Sequence, residues 1–324
     1  MRVFVTGGTG FVGSHAVEAL LAANHEVIAL VRPTSNTSHL EELGVTLATG
    51  HLGDAAGFRD ALEGADAVVH IAGLVAAAKP DLMYQANAVG TRDLVDVAAD
   101  TCPGVPFLYV SSVAAQGPSE GPHPRDADEP PAPVSHYGHT KLEGEGAVLG
   151  HRDRLQVMIL RPPPVYGPRD TDIFQVFALA RRGLAPILGG GDRYLSIVHA
   201  QDLADAIVAC IEAPRTGAIY PIDDGHVYTW TDLGQTIADA MGRSARTLCV
   251  PPFAFRTAAV ASELFGKLRG KPPTFDRDKF LEMNQRSWVC GNRALLEHTS
   301  WCPQFDLAAG AAHTAKWYED EGWF

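Results

Sequence analysis

The chain is poor in the features that mark secreted, membrane-bound and nucleic-acid-binding proteins. Its five cysteines (Cys102, Cys210, Cys249, Cys290 and Cys302) are odd in number, scattered and without a C-x-x-C pair, so neither a disulfide framework nor a zinc site is signalled, and no metal is expected. Nowhere do 18 apolar residues run uninterrupted, and no basic stretch followed by an apolar run and a cleavage site precedes the first strand. A soluble protein of the reducing cytoplasm, without membrane insertion, is expected. Positive charge is scarce too: 26 Lys and Arg against 38 Asp and Glu give a net charge of −12, which argues against nucleic acid or an anionic membrane surface as partner. There is no internal repeat and no heptad. What remains is 324 residues, 46% hydrophobic and 20% charged, enough to bury a large core in roughly two lobes.

Apolar runs at 2–6, 26–31, 45–49, 67–72, 107–111 and 156–161 predict strands, and helical periodicity predicts helices at 11–23, 57–63, 84–100 and 136–149. Near-continuous apolar strands such as Ala67-Val68-Val69-His70-Ile71-Ala72 suit a parallel sheet covered on both faces, so a doubly wound α/β domain is expected. It should span 1–165 and receive 195–222, with a smaller lobe interleaved over 166–324. Past residue 162 the pattern loosens around Pro162-Pro163-Pro164, Gly189-Gly190-Gly191 and Pro251-Pro252. Between Gly117 and Val134, four acids and six prolines predict a loop over the top of the sheet.

The first strand runs into Thr6-Gly7-Gly8-Thr9-Gly10-Phe11-Val12-Gly13, which reads in two ways. From Gly8 the spacing is G-x-G-x-x-G; from Gly7 it is T-G-x-x-G-x-x-G. Either places a tight strand-to-helix turn against a pyrophosphate, with free N–H groups and the positive end of the helix dipole facing it. The residues after the fifth strand bear on the choice. Ser112 closes that strand, while Tyr137 and Lys141, four apart, share one face of a following helix. Hydride transfer to a ketone needs a proton for the developing alkoxide. A tyrosine serves poorly at neutral pH unless a nearby cation stabilises its phenolate, a role that Lys141 could fill, with Ser112 hydrogen-bonded to the carbonyl.

At these residues the sequence resembles the extended short-chain dehydrogenase/reductase family, the NAD-dependent epimerase/dehydratase superfamily, nearly end to end. The likeness is carried by Thr6-Gly7-x-x-Gly10-x-x-Gly13, His70-Ile71-Ala72-Gly73, Asn87-Ala88-Val89-Gly90-Thr91, Ser111-Ser112-Val113 with Gly117, Tyr137 with Lys141, and Arg161-Pro162-Pro163-Pro164-Val165-Tyr166-Gly167-Pro168. The resemblance implies a Rossmann sheet and a catalytic set of Ser112, Tyr137 and Lys141. It also implies cofactor contacts from Gly7, Gly10, Phe11, Val12, Gly13, Ala72 and Gly73, with Tyr137 and Lys141 reaching the nicotinamide side and the turn from Pro163 to Val165 beside it. A homodimer through the helices that hold Asn87 and Tyr137 is implied as well. Asn87 either joins a proton relay or caps a turn.

Two departures matter. His51 and Leu52 stand where the family usually has an Asp that reaches the adenine, and the adjacent Asp54 reads equally as a helix cap. After the second strand, where NAD-preferring members carry an acid, this chain has Arg32, which can bind a 2′-phosphate. NADP(H) is therefore expected as cofactor, with NAD(H) possible if Arg32 instead stacks on adenine. Sugar-nucleotide epimerases and dehydratases carry an arginine for the diphosphate four residues before the His of an R-D-x-x-H-V segment. The matching residue here is Leu195, although Arg193 lies two residues away on the same strand face. That segment, Gly270-Lys271-Pro272-Pro273 and the ending Trp317 to Trp323 look more like the 3β-hydroxysteroid dehydrogenase and dihydroflavonol reductase-like branch. An apolar small-molecule ketone is the expected substrate, a sugar nucleotide the alternative, and Trp230, Phe253, Phe255, Phe265 and Phe275 either line an apolar cleft or form plain core.

Overall fold

The structure, a computed structural model, describes residues 1–77, 79–125, 129–189, 191–257, 259, 262 and 277–324. Seven strands build the main sheet: β1 (Arg2–Thr6), β2 (Glu26–Val31), β3 (Thr46–Thr49), β4 (Ala67–His70), β5 (Pro106–Val110), β6 (Gln156–Arg161) and the strand Ala218–Pro221. Their order is 218–221, β6, β5, β4, β1, β2, β3, and every pairing is parallel. The chain winds away from β1 in both directions, so a crevice opens where the carboxyl ends of β1 and β4 part.

Alternation along the strands assigns each side chain to one of two cores. Val3, Val5, Ala29, Leu108 and Met158 pack with Ala16, Val17 and Leu20 of α1 (Phe11–Ala22) and with Leu203 and Ile207 of the helix Ala200–Glu212. Phe4, Ile28, Val68, Phe107, Tyr109 and Ile159 face the other way. They meet α3 (Ala55–Leu62), α5 (Gly90–Thr101) and α7 (His136–Leu149) through Phe58, Leu94 and Val148. A short α2 (Ser38–Glu42) escapes the apolar periodicity, since only Leu40 is buried in it. The helix expected over 84–100 is three pieces: α4 (Pro80–Tyr84), a π-helical turn Gln85–Val89, and α5. A further turn of helix, α6 (Val113–Gln116), follows β5.

Past β6 the strands shrink. Val165–Tyr166 pairs with Val198–His199, Leu184–Leu188 with Arg246–Val250, and Tyr194–Leu195 lies between Tyr228–Thr229 and Ser287–Trp288. A third core of Tyr166, Phe177, Leu195, Ile237, Leu307 and Tyr318 is roofed by Phe174, Trp317, Trp323 and Phe324. Trp230 packs on this third core and Phe253 is 73% exposed, while Phe265, Phe275 and residues 270–273 lie outside the described residues. No helix among the described residues is long and apolar enough to cross a membrane.

Candidate active site

The glycine loop resolves its own ambiguity. Gly7 has φ +79°, and a Cβ there would sit 2.6 Å from the Ala72 nitrogen; a Cβ on Gly13 would run into the Gly7 carbonyl. One on Gly10 would stand 3.3 Å from the same oxygen, whereas Gly8 would meet nothing nearer than Val17 at 3.4 Å. The spacing that matters is therefore Gly7, Gly10, Gly13. Gly10 caps α1 without a side chain, leaving the first-turn N–H groups at Phe11 and Val12 free toward the crevice. Gly7 lets the end of β1 pack backbone to backbone against Ala72, next to Gly73, and the glycine turn with the uncapped start of α1 fits a dinucleotide pyrophosphate.

A buried polar chain wires this loop to the rest of the site. The Thr6 hydroxyl lies 2.6 Å from His70 Nδ1 and accepts from the Ala72 N–H at 3.3 Å, and His70 Nε2 reaches the Thr91 hydroxyl at 2.9 Å. Thr91 in turn donates to the Asn87 carbonyl at 2.6 Å within the π-helical stretch. Burial, helped by the charge of Lys141, pushes the His70 pKa down to about 3, so the ring is neutral. The Asn87 amide accepts from the Leu74 N–H at 2.7 Å and donates to the Leu74 carbonyl and the Thr140 hydroxyl. These bonds pin the segment after β4 to α7.

Around the adenosine end, Arg32 is exposed and has no partner among the described residues. His51 is exposed, Leu52 packs on Gly90 and the second core, and Asp54 accepts from the Gly57 N–H as the cap of α3. Pro163 is buried, and Val165 sits half-buried in the short strand paired to Val198.

The chemistry gathers between β5 and α7. Ser112 caps α6, its Oγ accepting from Ala114 at 3.1 Å, and its side chain favours ionisation of the Tyr137 hydroxyl. Lys141 is buried; its Nζ donates to the Val110 carbonyl at 2.8 Å and stands 4.6 Å over the Tyr109 ring. The structure thus brings Ser112, Tyr137 and Lys141 together. Burial raises the Tyr137 pKa, the Glu282 carboxylate raises it further, and Ser112 only partly offsets them. Lys141 is itself pushed down to about 7 by burial, with Glu145 opposing.

The residues that local reasoning missed come mostly from far away. The helix Arg277–Met283 sits on the start of α7, where Asp278 accepts from the His136 and Tyr137 N–H groups at 2.7 and 3.1 Å. Glu282 accepts from Ser135, the cap of α7, at 2.6 Å. No nearby pattern announces contacts spanning some 140 residues. Glu145, by contrast, follows Lys141 at the same four-residue step as Lys141 follows Tyr137, a signal that was available.

Arg193 does not stand in for the missing arginine at Leu195. Leu195 is buried in the third core, and Arg193 is only 7% exposed. Its guanidinium donates to the carbonyls of Asn284 and Gln285 at 2.7 Å each, and more weakly to those of Leu188, Met283 and Gly189. It closes the end of the helix Arg277–Met283 and is not free to face a phosphate. Nearby, a cavity of about 130 Å³ is lined by Val113, Pro124, Ile219, Pro221, Trp288 and Val289. Its two arginines, Arg125 and Arg161, are ion-paired to Glu129 and Glu145.

Comparison with known proteins adds the following. The profile of the NAD dependent epimerase/dehydratase family matches residues 3–223. The chain is 31% identical to "Ceramide reductase" of Caulobacter vibrioides (strain NA1000 / CB15N), over 99% of this chain and 95% of that one. It is 28% identical to "Sterol-4-alpha-carboxylate 3-dehydrogenase, decarboxylating" of Dictyostelium discoideum (69% and 71% covered) and 29% identical to "UDP-glucose 4-epimerase" of Vibrio cholerae (85% and 84%). Among solved structures, that of gox2253 superimposes with a TM-score of 0.82 at 26% identity, covering 99% of this chain and 98% of that one.

Proposed function

Because the chain belongs to the NAD dependent epimerase/dehydratase family and is thereby an NAD(P)-dependent oxidoreductase, we propose that it interconverts a ketone and a secondary alcohol on an apolar, uncharged substrate. A steroid, a flavonoid-like ketone or a long-chain β-keto compound fits this reading, in the manner of the 3β-hydroxysteroid dehydrogenase and dihydroflavonol reductase-like branch. The observation that carries it is Arg193: this arginine, two residues from the diphosphate position, is committed to backbone carbonyls, and Leu195 offers no charge. The apolar cavity beside α6 and the full-length likeness to a ceramide reductase support it.

The roles follow from chemistry. When bound, the nicotinamide supplies or accepts the hydride. Ser112 holds the carbonyl oxygen by a hydrogen bond, and Tyr137, kept protonated by burial and by Glu282, donates the proton to that oxygen. Lys141 places a cation one helical turn from the phenolate that results. Gly7, Gly10 and Gly13 would hold the pyrophosphate, and Arg32 the 2′-phosphate of NADP(H), the cofactor we assign.

The test is NADPH and NADH oxidation with long-chain 3-keto compounds and steroid ketones, beside UDP- and dTDP-sugars. Turnover or thermal protection by the apolar ketones and neither by sugar nucleotides is the expected result. Saturable micromolar binding of a sugar nucleotide would reverse it in favour of an epimerase or dehydratase, the reading that the UDP-glucose 4-epimerase relative favours.

A further inference from the structure

The end of β5 and the face of α7 meet as two matched series. Ser112 meets Tyr137; the Val110 carbonyl and the Tyr109 ring meet Lys141; and the Ser111 hydroxyl donates to Glu145 Oε1 at 2.6 Å. On the helix the partners Tyr137, Lys141 and Glu145 are each one turn apart. Glu145 is buried and locked on both oxygens, receiving Arg161 Nε at 2.9 Å and Nη2 at 2.6 Å, while Arg161 also hydrogen-bonds Gln116. A carboxylate so placed cannot leave the neighbourhood of the ammonium one turn before it.

The geometry points to Glu145 and Tyr109 as positioning residues that keep Lys141 an ammonium and hold it in register with Tyr137. This rests on the reading of Tyr137 and Lys141 as the proton-transfer pair. A bare ammonium in this slot would shed its proton, because burial disfavours the charged form. The groups that face it decide the outcome. His70 is held neutral, and the phenols of Tyr109 and Tyr137 are both pushed up and uncharged. Arg161 stands behind Glu145, and Glu145 is the one anion acting on Lys141 among the described residues. Tyr109 adds the negative face of its ring below the ammonium.

The experiment reads Lys141 directly, without a substrate. The chain has six lysines, so protein carrying lysine labelled with ¹³C at Cε gives few signals, and the one lost in Lys141→Arg identifies Lys141. Titrated from pH 5 to 9, Glu145→Gln should move its midpoint down by about one unit, a tenfold smaller ammonium fraction above both midpoints. Tyr109→Leu should move it down by about half a unit, and Tyr109→Phe, which keeps the ring, should restore it. The basic limb of kcat/KM for ketone reduction should shift in step. If Glu145→Gln fails to fold because Arg161 is left unpaired, the double variant Glu145→Gln/Arg161→Met removes that orphan and should still move the midpoint down, by less because the Arg161 charge is gone as well. An unchanged Lys141 midpoint in the folded Glu145 variant overturns the proposal, even where turnover falls equally at all pH values. If Lys141→Met leaves turnover and the limb intact, it is the underlying assignment of Lys141 that fails.

Discussion

The halves of the chain before and after Arg161 are held by different physics. In the first, strands of four to six residues carry apolar side chains on both faces, burial pushes the pKa values of His15, His70 and Lys141 down to about 4, 3 and 7, and the buried carboxylate of Glu145 is ion-paired to Arg161. In the second, strands of two to five residues are braced by buried polar side chains on backbone groups. Asp202 accepts from the Gln304 and Phe305 N–H groups, Asp223 from Gly225 and Ser196, and Asp170 from Asp172 and Ile173. Burial raises these acids to about 6, 6 and 7. His199 is the exception, a base pushed down to about 3. A regular frame can thus carry functional groups at fixed periods, whereas an irregular one must fix each turn with its own hydrogen bonds.

Four measurements break or sharpen this contrast. Tyr137→Phe should lose roughly two to four decades of turnover while keeping its fold, because the frame around it does not depend on the hydroxyl. Steady-state kinetics beside an unfolding curve checks both halves of that statement. Arg193→Met should do the reverse. Stripping the buried carbonyls of Asn284 and Gln285 of their donor should cost about 3 kcal/mol in a urea titration, while NADPH affinity in the first half is retained. An unaltered urea midpoint would show that the second half is not braced as described.

Arg32→Asp touches only the rim of the first half. It should lower NADPH preference over NADH by about one to two decades in kcat/KM, measured at one ionic strength, with stability unchanged. Equal weakening of both cofactors would place Arg32 on the adenine ring instead. The smallest effect concerns pH. Acids with raised folded pKa cost stability as pH climbs through their folded values, so acidification from pH 8 to about 6 contributes stability through Asp170, Asp202 and Asp223. Below about 6.5 the unfolded chain begins to protonate His15, His70 and His199, which the folded chain refuses down to about 4 and 3, and stability is lost again. Lys141, pushed down to about 7, adds a loss of its own as pH falls from 8, so the gain from the acids is outweighed and urea midpoints should decline from pH 8 to 6 by on the order of 1–2 kcal/mol, less steeply than the buried bases alone would give. A higher midpoint at pH 6 than at pH 8 would mean that the buried bases are better solvated than the fold implies.

The same contrast explains what could be read in advance. Ser112, Tyr137 and Lys141 were legible because each lies at a strand end or a helical step, and Gly7, Gly10 and Gly13 because only a missing Cβ fits there. The commitment of Arg193 was not legible, since the carbonyls that hold it come from Met283 to Gln285, some 90 residues on. Asp278 and Glu282 were invisible for that reason too. That burial raises the Tyr137 pKa was not legible, because periodicity shows which groups are neighbours and says nothing of how dry they are.

The order in which the main sheet acquires its cover has a consequence in time. The face built on Phe4, Phe107 and Ile159 has all its buried residues by Ile159. The face built on Val3 and Val5 waits for Val198 to Ile211, and its last buried members are Leu295 and Trp301. At ribosomal rates of about 5–20 residues per second, the gap between residues 159 and 301 is on the order of ten seconds. During that interval a half-made enzyme presents one finished surface and one bare apolar sheet to the cell. The nascent chain should therefore engage holdase chaperones within that window and release them only as the C-terminal third emerges.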